Sequence, residues 1–114
     1  MPYIEAKISI ELDDKSKNEL QGKLADAVSS AFSKPKSYIM SNIEDLKSLY
    51  MGGLKVERGA YILVRSLGSI SKPQCQNATR EICNILINDY NLNGANIYVT
   101  YHPEEFWGWN GSMF

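Results

Sequence analysis

The chain opens Met1-Pro2-Tyr3-Ile4, and Pro2 can do chemistry here that proline cannot do elsewhere. Inside a chain, proline nitrogen is a tertiary amide with no proton to give and no free lone pair. A small residue behind an initiator methionine lets an aminopeptidase remove Met1, and Pro2 then becomes a secondary amine on a rigid ring. An ordinary α-amino group titrates near ~7.7–8.0. Partial burial or a nearby cation lowers that value, because both disfavour the charged form. A base with a pKa near ambient pH suits proton transfer. Met-Pro is also a common, stable start, so the pair acquires a function only if the rest of the chain places that amine beside a substrate.

The other reactive residue types form no competing constellation. His102 is the only histidine and has no Cys or second His at metal-ligand spacing, so no metal site is expected. Cys75 and Cys83 would lie about 12 Å apart on one helix. A disulfide needs Cα atoms within about 7 Å, so two reduced, packed thiols are expected, and no Cys-x-x-Cys suggests a thiol oxidoreductase. Glu104-Glu105 read as a solvated turn. Asn77-Ala78-Thr79 and Asn110-Gly111-Ser112 match the glycosylation pattern, the first within a predicted helix. There is no Gly-rich phosphate loop and no Ser-His-Asp order.

Composition narrows the class. With 114 residues, 44% of them apolar, the chain suits one compact domain. Twelve basic against 13 acidic residues give a net charge of −1, which makes no electrostatic case for nucleic acid or an anionic membrane. No apolar run is long enough to span a bilayer. Glu5 and Lys7 interrupt the N-terminal apolar pattern, so it does not read as a signal peptide, and a cytosolic start is expected.

The elements that must position Pro2 follow from periodicity. Tyr3 to Leu12 predicts a strand, with Ile4, Ala6, Ile8 and Ile10 on one face and Glu5, Lys7, Ser9 and Glu11 on the other. Leu20, Leu24, Ala27, Val28, Ala31 and Phe32 predict a helix over Asp14 to Phe32. Ser16-x-x-Glu19 reads as its capping box, with Lys34 at its end and Pro35 as its stop. Tyr38 to Leu46 predicts a second strand, and Ser48 to Gly53 a short one entering a Gly-Gly turn. Ala60 to Leu67 is a dense apolar run suited to a central strand. Pro73 opens a second helix with Ala78, Ile82, Ile85, Leu86 and Tyr90 on its inner stripe, leaving at Asn93-Gly94. Asn96 to Tyr101 predicts a last strand, and the tail holds a hairpin-type Asn110-Gly111 among aromatic residues.

The order strand-helix-strand occurs twice, over about residues 1–50 and 58–105, with a tail at 106–114. That is a duplicated βαβ unit in one domain, of the α/β (α+β) class, with a four-stranded mixed sheet and two helices on one face. The bare sheet face, the sheet edges and the tail aromatics need cover, which predicts an oligomer.

With Met1-Pro2, the duplicated unit and the tail in view, the chain resembles the macrophage migration inhibitory factor family of the tautomerase superfamily over its whole length. The resemblance rests on Pro2, Ser33-Lys34-Pro35-x-x-Tyr38-Ile39, Arg65-Ser66-Leu67-Gly68, Ile97-Tyr98-Val99 and Gly108-Trp109-Asn110-Gly111-Ser112-Met113-Phe114. It implies a homotrimer whose sheets form a barrel, with an active site at each subunit interface. It implies a keto–enol tautomerase acting on small aromatic 2-oxo acids such as phenylpyruvate, or on dopachrome-type substrates, with no metal and no organic cofactor. It also implies the rival reading of a cytokine-like protein, binding a host cell-surface receptor and secreted without a signal peptide, in which the pocket is vestigial.

The resemblance assigns roles residue by residue. Pro2 matches the catalytic base, and Lys34 the lysine that binds the substrate carboxylate and holds the Pro2 pKa down. Lys34 also suits the C-terminal end of a helix, where a cation complements the dipole. Ser66 and Leu67 match the strand end whose backbone meets substrate, Leu67 through its N–H. Tyr38, Tyr98, Trp107 and Phe114 match pocket walls, with Tyr98 supplied by a neighbouring subunit. Thr100 stands where well-studied members carry an asparagine that bonds the substrate's para-hydroxyl, and Trp107 where a small aliphatic residue occurs; a weaker preference for the hydroxylated substrate is expected. Gly59-Ala60-Tyr61-Ile62 replaces the Cys-x-x-Cys of the cytokine. Superfamily members that hydrate or dehalogenate add an arginine near the proline; Arg58, Arg65 and Arg80 fall at no evident pocket position.

Overall fold

A computed structural model describes all 114 residues. The first half is β1 (Pro2–Ile8), α1 (Asp14–Phe32), a 3-10 turn at Lys36–Tyr38, and β2 (Met40–Glu44). Two short strands, β3 (Tyr50–Met51) and β4 (Leu54–Lys55), form a hairpin around Gly52 and Gly53. The second half is β5 (Ala60–Leu67), α2 (Lys72–Tyr90), a 3-10 turn at Gly94–Asn96, and β6 (Ile97–Glu104). The tail hairpin is β7 (Gly108–Trp109) and β8 (Ser112–Met113). No helix is long and apolar enough to cross a membrane.

The four long strands make one mixed sheet in the order β2-β1-β5-β6. Each βαβ half pairs its own strands in parallel, and the halves join through the antiparallel β1–β5 pair. One sheet face carries the core. Ile4, Ala6 and Ile8 stand opposite Val64, Ile62 and Ala60, and all six are buried. Leu20, Leu24, Val28 and Phe32 of α1 and Ala78, Ile82 and Leu86 of α2 close over them. Fully burying each of the larger aliphatic side chains gains about 1.5–3 kcal/mol against exposure, so the alternation in the strands and the stripes on the helices drive one and the same assembly.

Several element ends differ from the sequence expectation, each for a local reason. The cap of α1 is Asp13, whose side chain accepts from the Ser16 N–H, rather than a Ser16–Glu19 box. Only the cap differs: the helix spans the predicted Asp14–Phe32, and Asp13 just ahead of it meets an orphan donor of the first turn. The reciprocal capping box is in α2, between Ser71 and Gln74. β1 stops at Ile8, since the Ser9 hydroxyl and N–H turn aside to the Glu57 and Gly59 carbonyls. β2 is shorter than Tyr38 to Leu46, because Tyr38 belongs to the 3-10 turn and Leu46 adopts positive φ. β6 runs on to Glu104 through Pro103, which an edge strand tolerates because one side of its ladder is unpaired. Cys75 and Cys83 both lie on α2 as free thiols.

Candidate active site

The topology decides what can stand beside Pro2. The parallel crossover through α1 returns the chain to the end of the sheet where β1 began, so the residues leading into β2 arrive next to Pro2. β5 is antiparallel to β1, so its last residues reach the same end, with Ser66 opposite Pro2 and Arg65 opposite Tyr3. β6 is parallel to β5 and ends there too, delivering the tail. Three distant stretches of sequence therefore meet at the start of β1.

They enclose a cleft of about 660 Å³ lined by Pro2, Tyr3, Tyr38, Ile39, Met40, Arg65, Trp107 and Trp109, with Ser37 and Gly108 completing the wall. That size suits a small ligand, and its walls are largely aromatic and apolar. Pro2 is fully buried at its base. Proline's missing N–H costs nothing at this place: it is the first residue of β1, ahead of the point where β1 begins to pair with β2.

Lys34 sits just past α1 and is tied to it twice. Its N–H donates to the Ser29 carbonyl, and the Ser29 hydroxyl donates to the Lys34 carbonyl. Ser33 caps the helix in the left-handed region, at φ 53°, which turns the chain out of the helix. The Lys34 ammonium makes no ion pair, in contrast to Lys36, which binds Asp26 at 2.7 Å. It acts instead on the N-terminus: burial first, and the Lys34 charge second, hold the Met1 amine below its ordinary value. Lys34 does not itself line the cleft.

Ser66 and Leu67 flank the same end. The Leu67 N–H donates to the Met1 carbonyl at 3.2 Å, and the Ser66 hydroxyl is buried without a partner. Phe114 reaches the cleft indirectly: it stacks on Trp109, with ring centroids 6.2 Å apart, and its N–H donates to the Trp107 carbonyl. The tail hairpin that presents these rings turns at Asn110 (φ 49°) and Gly111 (φ 83°), the two-residue turn its Asn-Gly sequence predicts.

Tyr98 and Thr100 stand elsewhere. Tyr98 pairs with Tyr61, itself opposite Lys7, which is five residues and about 16 Å along the strand from Pro2. It is 62% exposed and lines a separate hollow with Tyr50, Met51 and Val56. The Thr100 hydroxyl is already engaged, 2.7 Å from the Tyr61 hydroxyl and 3.1 Å from His102 Nε2. Of the nine residues singled out from the sequence, Pro2, Tyr38 and Trp107 line the cleft directly. Lys34, Ser66, Leu67 and Phe114 border it, and Tyr98 and Thr100 lie away from it within the chain.

Two readings change. Arg65 does reach the cleft, and Glu104, expected in a solvated turn, is the last residue of β6 and holds Arg65 at 2.7 Å. Alternation along Ala60 to Leu67 could have put Arg65 at the same strand end as Ser66. Its approach to Pro2 depends on the antiparallel β1–β5 pairing, which no local pattern encodes. Tyr3 lines the cleft as the neighbour of Pro2, while Ser37, Ile39 and Met40 reach it through the parallel β1–β2 pairing and Gly108 and Trp109 through the tail, placements that no local pattern encodes.

The profile of the family described as Macrophage migration inhibitory factor (MIF) matches residues 1–114. A macrophage migration inhibitory factor of Xenopus laevis is 28% identical over 103 residues, 89% of each chain. The crystal structure of Leishmania major MIF2 superposes with a TM-score of 0.88 at 24% identity, covering 100% of this chain and 97% of that one. The macrophage migration inhibitory factor-like protein of Entamoeba histolytica also gives 0.88, at 23% identity, covering 99% and 98%. The match runs over the whole chain and the superposition covers the paired βαβ halves and the tail, so the chain belongs to the macrophage migration inhibitory factor family and has its fold.

Proposed function

We propose that this chain is a keto–enol tautomerase of small aromatic 2-oxo acids, of the phenylpyruvate type, with Pro2 as base and acid once Met1 has been removed. The observation that carries the reading is the state of the amino terminus. It lies at the head of β1, one residue from the cleft-lining Pro2, where burial and Lys34 hold the Met1 amine below its ordinary value. Lowering the pKa of an amine so placed raises its base fraction near neutral pH, which suits a group that must both take and return a proton.

For the enol, the Pro2 nitrogen takes the hydroxyl proton while the C=O bond forms. The electrons of the C=C bond then take a proton back at the adjacent carbon. One O–H bond is exchanged for one C–H bond, and nothing is oxidised or reduced. Removing Met1 does more than free this nitrogen. It also releases the Leu67 N–H from the Met1 carbonyl, leaving a donor for the substrate carboxylate beside Lys34. Tyr38, Trp107 and Trp109 offer flat walls to an aryl group and limit water, which strengthens the charge interactions inside.

The working assembly in this reading is a homotrimer. β2 and β6 are unpaired edges, and Tyr50, Leu54, Tyr98, Phe106 and Phe114 are exposed. Packing copies on these surfaces would cover them, and would let Tyr98 of one copy serve the Pro2 cleft of the next. The test is the enol-to-keto rate of phenylpyruvate with Met1 removal verified by intact mass. The expected result is a rate well above background that disappears in Pro2→Gly. A folded, Met1-free protein with no rate would overturn the reading, and a non-catalytic receptor-binding protein would take its place.

A further inference from the structure

The cleft contains one charged side chain that the chemistry at Pro2 leaves without a task. Arg65 is the only charged residue among those lining it. Its place is fixed by both neighbouring strands. Across β5 it stands opposite Tyr3, one residue past Pro2, and opposite His102 on β6. Its Nη1 donates to Glu104 Oε1 at 2.7 Å, and Glu104 does not line the cleft. The carboxylate therefore anchors the guanidinium from outside the cavity. A guanidinium has five donors in a planar fork that matches a carboxylate. Only Nη1 is engaged within the chain, and the side chain is 45% exposed.

Arg65 is also poorly placed to hold the carboxylate nearest the reacting carbon. Pro2 and Ser66 share one sheet face, the face of the core, while Arg65 and Tyr3 point to the other. The groups beside the amino terminus are Lys34 and the Leu67 N–H. The rings of Tyr3, Tyr38, Trp107 and Trp109 line the same cleft as Arg65. The cleft thus combines aromatic walls with one cationic group of its own, Arg65, while Lys34 stands outside its lining beside the amino terminus.

We infer that Arg65 is a specificity residue that recognises a second anionic group, so that the cleft selects aryl 2-oxo acids carrying two negative charges over those carrying one. This rests on the tautomerase reading, and it deepens that reading by naming the substrate class.

Two probes decide it: phenylpyruvate, and 3-(4-carboxyphenyl)-2-oxopropanoate, the same molecule with a carboxylate on the ring. In the Met1-free protein, kcat/KM for the dicarboxylate should exceed that for phenylpyruvate by about tenfold or more, the worth of one charge-assisted hydrogen bond. Arg65→Gln should erase that preference while leaving phenylpyruvate within about threefold, and Arg65→Lys should keep part of it. An equal fall on both probes would overturn the inference, because Arg65 would then hold the carboxylate they share. No change on either would overturn it too. Binding, read from the fluorescence of Trp107 and Trp109, gives the same comparison without turnover. If neither probe is converted, the tautomerase reading fails. A dicarboxylate bound about tenfold more weakly by Arg65→Gln alone would still support the role of Arg65, and unchanged binding would reject it.

Discussion

Pro2 and Ser66 face each other across the antiparallel β1–β5 pair, both fully buried, and the Ser66 hydroxyl has no hydrogen-bond partner. The Leu67 N–H to Met1 carbonyl bond lies just beside them, so they form a pair that shares no ladder bonds, the kind in which side chains approach most closely. A buried polar atom without a partner is costly unless something else meets it.

Ser66→Ala should therefore behave differently in the two forms of the chain. With Met1 retained, removing an unsatisfied hydroxyl should stabilise the fold by about 1 kcal/mol. With Met1 removed, the freed Pro2 amine stands across from Ser66 as a partner, and the gain should shrink or reverse. Urea unfolding of both forms reads the difference. An equal gain in both would show that the hydroxyl does not meet the amine.

Lys34 should set the acidic limb of the activity profile. Burial and the Lys34 charge both lower the amine's pKa. Lys34→Met removes the second cause, so the pKa of the terminal amine should rise toward 8.0. The base form is the active one, and the pH at which kcat/KM is half lost on acidification should move upward. KM should rise as well, since the substrate carboxylate loses a cation. The same shift links to stability. An amine with a lowered folded pKa binds fewer protons when folded, so stability is fully present above 8.0 and is lost as pH falls through the lowered value. A pH profile unchanged in Lys34→Met would remove Lys34 from the site.

Gly59 should tolerate no side chain. A Cβ there would collide with Val56 Cγ1 and come within 2.5 Å of the Asn96 carbonyl oxygen and 2.9 Å of Asn96 Cβ. Backbone cannot yield as a flexible side chain can, so Gly59→Ala should destabilise by about 1–3 kcal/mol, measured by urea unfolding at unchanged m-value. The same crowding means that a thiol pair cannot simply be grafted onto Gly59 and Ile62. A fully stable Gly59→Cys, Ile62→Cys variant would contradict this.

Some of this protein can be read directly from its residues. The alternation Ile4, Ala6, Ile8 and the run Ala60 to Leu67 mark β1 and β5. The stripes from Leu20 to Phe32 and from Ala78 to Leu86 mark helices whose ends the sequence places closely, and Asn110-Gly111 marks its turn. These signals are local: a period of 2.0 or 3.6 residues, a cap or a special φ/ψ is written in adjacent side chains. Pro2 and Lys34 were legible as chemistry for the same reason, through residue type and the motif around each. What the tertiary structure decided is which of these pieces meet. Arg65 lines the cleft, Glu104 braces it, and Tyr98 and Thr100 lie away from Pro2, because β5 runs antiparallel to β1 and β6 runs parallel to β5. Strand pairing between residues some 60 positions apart in sequence depends on which buried faces fit together across the whole core, and no single stretch of chain carries that information.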